Sequence, residues 1–183
     1  MFEDDWALLQ RATRGDEAAW TALSAKYRPR LIGLAYTITR SRMAAEDVAQ
    51  ECFARLLSKP PHQSGDSLMP FLSVIAYRLA LKELKRSSRL VDIAASEFED
   101  ISSSPHEDLV TRDRRVAVIK AVRALSADHR EVIALRFQGG LSYEEMARLL
   151  KLPLGTVKSR LFNAVKNCRK LLSTKGMIDD TPG

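Results

Sequence analysis

Little in this 183-residue chain suits it to catalysis or to an oxidising compartment. Two cysteines, Cys52 and Cys168, are too few for a disulfide framework, and neither has a second Cys or a His at metal-ligand spacing. Both fall on apolar helical stripes, where a thiol serves as a small buried hydrophobe. The three histidines, His62, His106 and His129, are scattered through expected loops and helix starts and take no ligand or catalytic role. There is no glycine-rich phosphate loop and no nucleophile motif with a base to activate it. The chain is therefore expected not to be an enzyme, and to need no metal, no cofactor and no small-molecule substrate. No apolar run is long enough to span a bilayer, and the opening MFEDDW is acidic, unlike the basic start and apolar core of a signal peptide. A cytoplasmic protein without membrane insertion is the expectation. Apolar–polar alternation of useful length is also missing, which leaves an all-α fold.

What is present is charge, unevenly placed. The composition, 45% hydrophobic and 28% charged, is that of an ordinary globular protein. A net charge of +6 and a pI near 9.5 suggest a polyanionic partner. Between Leu90 and Val110 stand six acidic residues and no Lys or Arg, so a whole-chain +6 leaves +12 on the remainder. Two basic lobes are joined by an acidic strap.

Helical periodicity fills both lobes. After a short amphipathic turn at Trp6, Leu8 and Leu9, Gly15 and Asp16 mark a helix start. Trp20, Leu23, Tyr27, Leu31, Leu34 and Ile38 then form one face, which Pro29 should kink or restart. A second helix, about 43–57, buries Val48, Ala49, Cys52, Phe53 and Leu56 and turns Asp47, Gln50 and Glu51 outward; on physical grounds alone such charges read as a solvated surface. Proline and turn residues at 59–67 precede a third helix, about 68–86. Its apolar stripe is Leu68, Leu72, Ile75 and Leu79. Another face carries Arg78, Lys82, Lys85, Arg86 and Arg89, a spacing that tracks a phosphate backbone. Phe71 and Tyr77 lie beside these charges. Aromatics among basic residues can stack on unpaired bases, but they can equally complete a core: Phe71 is given to the core and Tyr77 left open.

Residues 87–104 lose periodicity and gain serine and acid, the mark of a flexible linker. Ser104, Pro105 and Glu107 are a helix start, with Leu109, Val116, Ile119 and Val122 inward, and a helix from Ser126 places Val132, Ile133, Leu135 and Phe137 inward before Gly139 and Gly140 close it. The chain then reaches SYEEMARLLKLPLGTVKSRLFNAVKNCRK. Ser142 and Glu145 have capping-box spacing, Pro153 and Gly155 punctuate, and Val157, Leu161, Ala164 and Cys168 form the stripe of a second helix. The pattern is that of a helix-turn-helix, whose second helix presents hydroxyl, amide and basic groups to base edges and phosphates. An ordinary helical hairpin with a basic face is the alternative.

Four fragments, YRPRLIGLAY at 27–36, AEDVAQECFARLL at 45–57, LSADHREVIALRFQGGLSYEEMARLL at 125–150 and GTVKSRLFNAVK at 155–166, together resemble a bacterial sigma factor of the extracytoplasmic-function group. The resemblance spans about residues 16–172. It implies two small helical domains: a region 2-like domain at 1–87 for polymerase docking and minus-10 recognition and melting, and a region 4-like domain at 105–176 for minus-35 recognition. A linker at 88–104 and a tail at 177–183 complete the chain. By the same resemblance, Asp47, Gln50 and Glu51 dock on the clamp helices of core RNA polymerase. Tyr77, Arg78, Lys82, Lys85 and Arg86 bind and melt minus-10 DNA, and Thr156, Lys158, Ser159, Phe162, Asn163 and Lys166 read minus-35 DNA. The helix from Ser126 to Phe137 helps seat region 4 on the polymerase flap, and an anti-sigma factor is an expected partner. The chain departs from its family at Phe71 or Leu72 and Arg78, where tryptophan and asparagine are common, at Lys151, where the turn usually has glycine, and at Asn163, often arginine. The alternatives are a mimic that titrates an anti-sigma factor and a conventional operator-binding regulator. The basic residues of both reading surfaces oppose the first, and the lack of a dimerisation or sensor pattern opposes the second.

Overall fold

In the computed structural model the described residues are 4–63, 65–88 and 109–173, and among them every regular element is helical. Helix α1 (Asp5–Ala12) turns through Gly15, at φ +91°, into α2 (Glu17–Thr39). The Asp16 carboxylate accepts from the amides of Ala18 and Ala19 at 3.0 and 3.1 Å, so the expected start is built by side-chain capping. Helix α2 runs through Pro29 without a restart. Pro29 and Ala25 lie on the exposed side, so the Ala25 carbonyl that loses its helical donor faces water.

Helix α2 is the spine of the first bundle, burying Leu23, Tyr27, Leu31 and Leu34 against α1, α3 (Arg42–Ser58) and α4 (Met69–Ser88). The five expected core residues of α3 are all buried, and Trp20 meets Phe53 edge to face at 5.2 Å. In α4 the buried line falls elsewhere than expected. Leu72, Ala76 and Ala80 are enclosed together with Ser73 and Tyr77, while Ile75 and Leu79 are half-buried. Alanine at two successive turns lets α4 lie close to its neighbours, and a second layer covers its Ser73–Tyr77 side.

That layer comes from the second bundle: α5 (Leu109–Ala124), α6 (Ala127–Ile133), a π-helical turn (Ala134–Gln138), α7 (Tyr143–Leu150) and α8 (Leu154–Ser173). Helix α8 packs on α5, α6 and α7, while α6 and the π turn reach across to α2. One continuous cluster of buried apolar side chains therefore runs through both bundles, from Leu23 and Leu72 to Leu135, Met146 and Val157. The π turn explains a misplaced residue. Its wider winding shifts the helical register by about one position. Phe137, expected inward, is 61% exposed, and Gln138 points inward instead. In α5 Ala117 and Ala121 are buried, while Val116, Ile119 and Val122 are half-buried. Ile119 and Val122, with Tyr36, Val118 and Phe137, line an apolar cavity of about 470 Å³ between α2, α5, α6 and α8.

The acidic linker beyond Ser88, Arg89, the Ser104–Pro105–Glu107 start and the tail at 177–183 lie outside the described residues. Among the described residues no helix is long and apolar enough to cross a membrane.

Candidate nucleic-acid and partner interfaces

Three surfaces carry the residues singled out from the sequence. On α3, the Ser41 hydroxyl caps the helix by accepting from the Ala44 amide at 3.3 Å, and the fully buried stripe fixes the opposite face outward. Asp47, Gln50 and Glu51 are all exposed there. Glu51 pairs with Arg55 at 2.7 Å and Glu46 with Arg42 at 3.1 Å, each one helical turn apart. Among the described residues no ion pair engages Asp47. Exposed pairs of this kind contribute about 0.3–0.5 kcal/mol each, so an incoming cation can displace them at little cost.

On α4, Arg78, Lys82, Lys85 and Arg86 are exposed along one side, with Arg86 paired to Glu83 at 2.7 Å. Tyr77 is separated from them. It is 6% exposed, and its hydroxyl donates to the Glu131 carboxylate on α6 at 2.5 Å. Burial, then the hydrogen bond to Glu131, pushes the phenol well above its ordinary range. Glu131 is itself raised, chiefly by burial, against which the Tyr77 bond works to lower it. The question left open by the sequence is answered for this arrangement: Tyr77 belongs to the seam between the bundles.

The third surface is the α7–α8 hairpin. The capping box forms in both directions: the Glu145 amide donates to the Ser142 hydroxyl at 3.1 Å, and the Ser142 amide donates to the Glu145 carboxylate at 2.7 Å. Lys151 takes the left-handed conformation, φ 55° and ψ 43°, at the corner where glycine is usual, and the Leu152 amide returns to the Ala147 carbonyl at 3.0 Å. Helix α8 buries Val157, Leu161 and Ala164, so Lys158, Ser159, Asn163 and Lys166 are exposed, Phe162 is 69% exposed and Thr156 is half-buried. The Ser159 hydroxyl donates to the Thr156 carbonyl at 3.0 Å. Lys158 lies over the Tyr143 ring at 5.8 Å and Arg136 lies over the same ring at 5.1 Å. Arg160 ties α8 to α6 through Asp128 at 3.1 Å.

Sequence reasoning missed the seam. Ser73, Glu131, Gln138 and Gly139 make bonds to residues 54 to 108 positions away in the chain, and no local pattern marks them. The contact of the Tyr143 ring with two cations was missed as well, although Tyr143 lies in the quoted hairpin. Among the described residues no cluster of His, Cys, Asp and Glu could hold a metal ion.

Comparison with known proteins assigns both bundles. The family model described as Sigma-70 region 2 matches residues 23–90, and that of Sigma-70 region 4 matches residues 115–168. The chain is 32% identical to the RNA polymerase sigma-H factor of Pseudomonas aeruginosa over 183 residues, covering 93% of this chain and 94% of that one. It is 31% identical to the ECF RNA polymerase sigma-E factor of Escherichia coli over 175 residues, covering 87% and 90%. Among solved structures it resembles the sigma factor RpoE in complex with the anti-sigma factor NepR from Bartonella quintana. The TM-score is 0.64 and the identity 25%, over 84% of this chain and 96% of that one. CnrH in complex with the cytosolic domain of CnrY shares the fold, with TM-score 0.59 and 22% identity over 94% and 99%.

Proposed function

This chain belongs to the extracytoplasmic-function sigma factors, and on that premise we propose that it binds core RNA polymerase in the cytoplasm, directs it to a small promoter set and is held in check by an anti-sigma factor. Catalysis belongs to the polymerase. The observation that carries the reading is the α7–α8 hairpin, a capped and cornered helix pair whose second helix turns Lys158, Ser159, Phe162, Asn163 and Lys166 to solvent in one row.

We assign the roles by surface. Asp47, Gln50 and Glu51 accept hydrogen bonds from basic side chains of the polymerase clamp. Helix α8, led by Thr156, reads the minus-35 element: Asn163 offers the donor–acceptor pair that matches adenine, Phe162 an apolar contact suited to a thymine methyl, and Lys158 and Lys166 charges for phosphates. Arg78, Lys82, Lys85 and Arg86 track the strand displaced at the minus-10 element, and Tyr77, once uncovered, stacks on an unpaired base. Melting then draws on base capture and needs no nucleotide hydrolysis by the factor. The functional units follow the boundaries 1–87, 88–104 and 105–176, with the tail at 177–183. The anti-sigma factor covers the apolar cavity flanked by Val118, 44% exposed, and Phe137.

The test is transcription start mapping after induced synthesis of the chain, paired with titration of purified core polymerase. New starts sharing upstream and downstream motifs are expected. Absence of both polymerase binding and new starts sinks the reading.

A further inference from the structure

We propose that the open apolar cavity between α2, α5, α6 and α8 is a binding site for a single-chain anionic amphiphile, a free fatty acid whose carboxylate is held by arginine while its chain lies along the apolar wall. The binding rests on the cavity alone. Its competition with an anti-sigma factor rests on the function proposed above.

The four helices meet without filling the space between them. Ile119 and Val122 of α5, Ile133 of α6 and Val165 and Leu172 of α8 face the volume of about 470 Å³, and each is half-buried. That volume falls within the range of about 300–1,000 Å³ that holds small ligands. Val118 and Phe137, both exposed, keep the rim apolar as well. Two polar side chains of the wall answer each other, since the Thr37 hydroxyl donates to the Gln138 side chain at 3.3 Å. Aliphatic surface and guanidinium groups are what the wall offers a guest. Such a lining suits an apolar body with an anionic end better than a sugar or a base.

The charge of the lining is one-sided. Arg40, Arg115, Arg123, Arg130 and Arg169 line the cavity, and among the described residues that line it there is no Asp or Glu. Three of the five gather at the end of α5. The Arg40 and Arg130 guanidinium groups both donate to the Arg123 carbonyl at 3.3 Å, Arg130 donates also to the Leu125 carbonyl at 2.5 Å, and the Arg123 guanidinium lies over the Tyr36 ring at 4.9 Å. Capping the end of α5 explains these bonds. The dipole there amounts to about half a negative charge, however, which is small against the cations of the lining. Arg130 shows the crowding: burial first, and then nearby Arg40, lower its pKa. A carboxylate relieves both effects, because a guanidinium takes it in two parallel hydrogen bonds. The proposed anti-sigma factor covers the same mouth, so the fatty acid and that factor exclude each other.

The experiment is calorimetric titration of the full chain with laurate below its micelle-forming concentration. Lauryl alcohol, which keeps the chain without the charge, and dodecyltrimethylammonium, which reverses the charge, are titrated beside it. Laurate alone is expected to bind saturably, and to slow alkylation of Cys168, which lines the cavity, while Cys52 is wholly buried and stays unreactive throughout. Val118→Trp, which plugs the mouth from an exposed position, is expected to weaken laurate about tenfold. Arg169→Gln, also at an exposed position, is expected to weaken it about fivefold and Arg169→Lys less. Lys59→Gln, which removes a charge outside the lining, is expected to leave it unchanged. Circular dichroism fixes that each variant is folded. Equal binding of all three amphiphiles, capture by anionic phospholipid vesicles but not by laurate, or a folded Val118→Trp with wild-type laurate affinity overturns the site. A chain that takes up laurate as described yet never binds core polymerase leaves the site standing and sinks the functional reading instead.

Discussion

The α7–α8 hairpin and helix α4 are both basic elements assigned to DNA, yet they are held in opposite ways. The hairpin is fixed from within, by a reciprocal capping box, a left-handed corner and a stripe of Val157, Leu161 and Ala164 that leaves its proposed reading face in water except for the half-buried Thr156. Helix α4 is fixed from without. Its aromatic candidate, Tyr77, lies beneath α6, and its cationic side is the one exposed to solvent. Locally built surfaces stay presented whatever the rest of the chain does, whereas a surface completed by another bundle changes with every rearrangement of that bundle. The proposed reader of duplex DNA is displayed, and the proposed captor of single-stranded bases is covered.

Predictions follow that contrast. The largest effect is expected from Leu135→Ala, which empties a wholly buried position in the core shared by both bundles; chemical denaturation should show a loss of about 2–5 kcal/mol. A loss near zero would mean the bundles do not share a core. Next, Tyr77→Phe keeps the ring but strips Glu131 of its donor, costing about 1–3 kcal/mol in the stability of the free chain. On the hairpin, Asn163→Ala should relax preference at one upstream base by about 1–3 kcal/mol. Lys166→Ala should weaken all promoters alike and lower the salt slope by about one. Equal losses for Asn163→Ala on every single-base promoter variant would remove its base-reading role.

Acid should act on the two halves with opposite signs. Burial raises the Asp5 carboxyl, but hydrogen bonds from Lys26, Tyr27 and the Leu68 amide outweigh it and leave the folded value below the ordinary one. Its contribution is therefore present above the ordinary carboxylate range and is lost as pH falls through the lowered folded value. Glu131 is raised, so the folded state takes up its proton first, and a small gain appears as pH falls through that raised value. Urea denaturation between pH 7 and 3 should lose the acid-sensitive fall in Asp5→Asn, and Glu131→Gln should abolish the gain. The smallest effect is Lys151→Gly, which relieves a left-handed residue at the corner and should stabilise the free chain by up to about 1 kcal/mol, read as a shift of a few degrees in thermal melting.

The same contrast explains what could be read in advance. The stripe of α3, the Asp16 and Ser142 caps and the exposed row on α8 depend on residues within one or two turns, and each stands where its periodicity places it. The left-handed turn at Lys151 follows from the need of any such corner for a positive φ. Ile75, Leu79 and Phe137 went differently, and Tyr77 was left open, because their surroundings are set by distant partners. Two small alanines draw α4 inward, α6 roofs one side of it, and the π turn shifts the register before Phe137. No pattern of period 3.6 encodes a neighbour 54 residues away.

One further contact in the first bundle bears on how the protein is handled. Asp5 holds Lys26 at 2.5 Å, receives the Tyr27 hydroxyl and takes the Leu68 amide at 3.3 Å, while the Trp6 indole donates to the Gly65 carbonyl at 2.8 Å. The loop that leads into α4 is thus moored from the first turn of the chain. A fusion tag set flush against this turn, or a trimmed version beginning after Trp6, would loosen the approach to the basic helix while leaving the hairpin untouched. Weak opening of promoters that are still bound would be the symptom, and moving the tag to the other terminus the remedy.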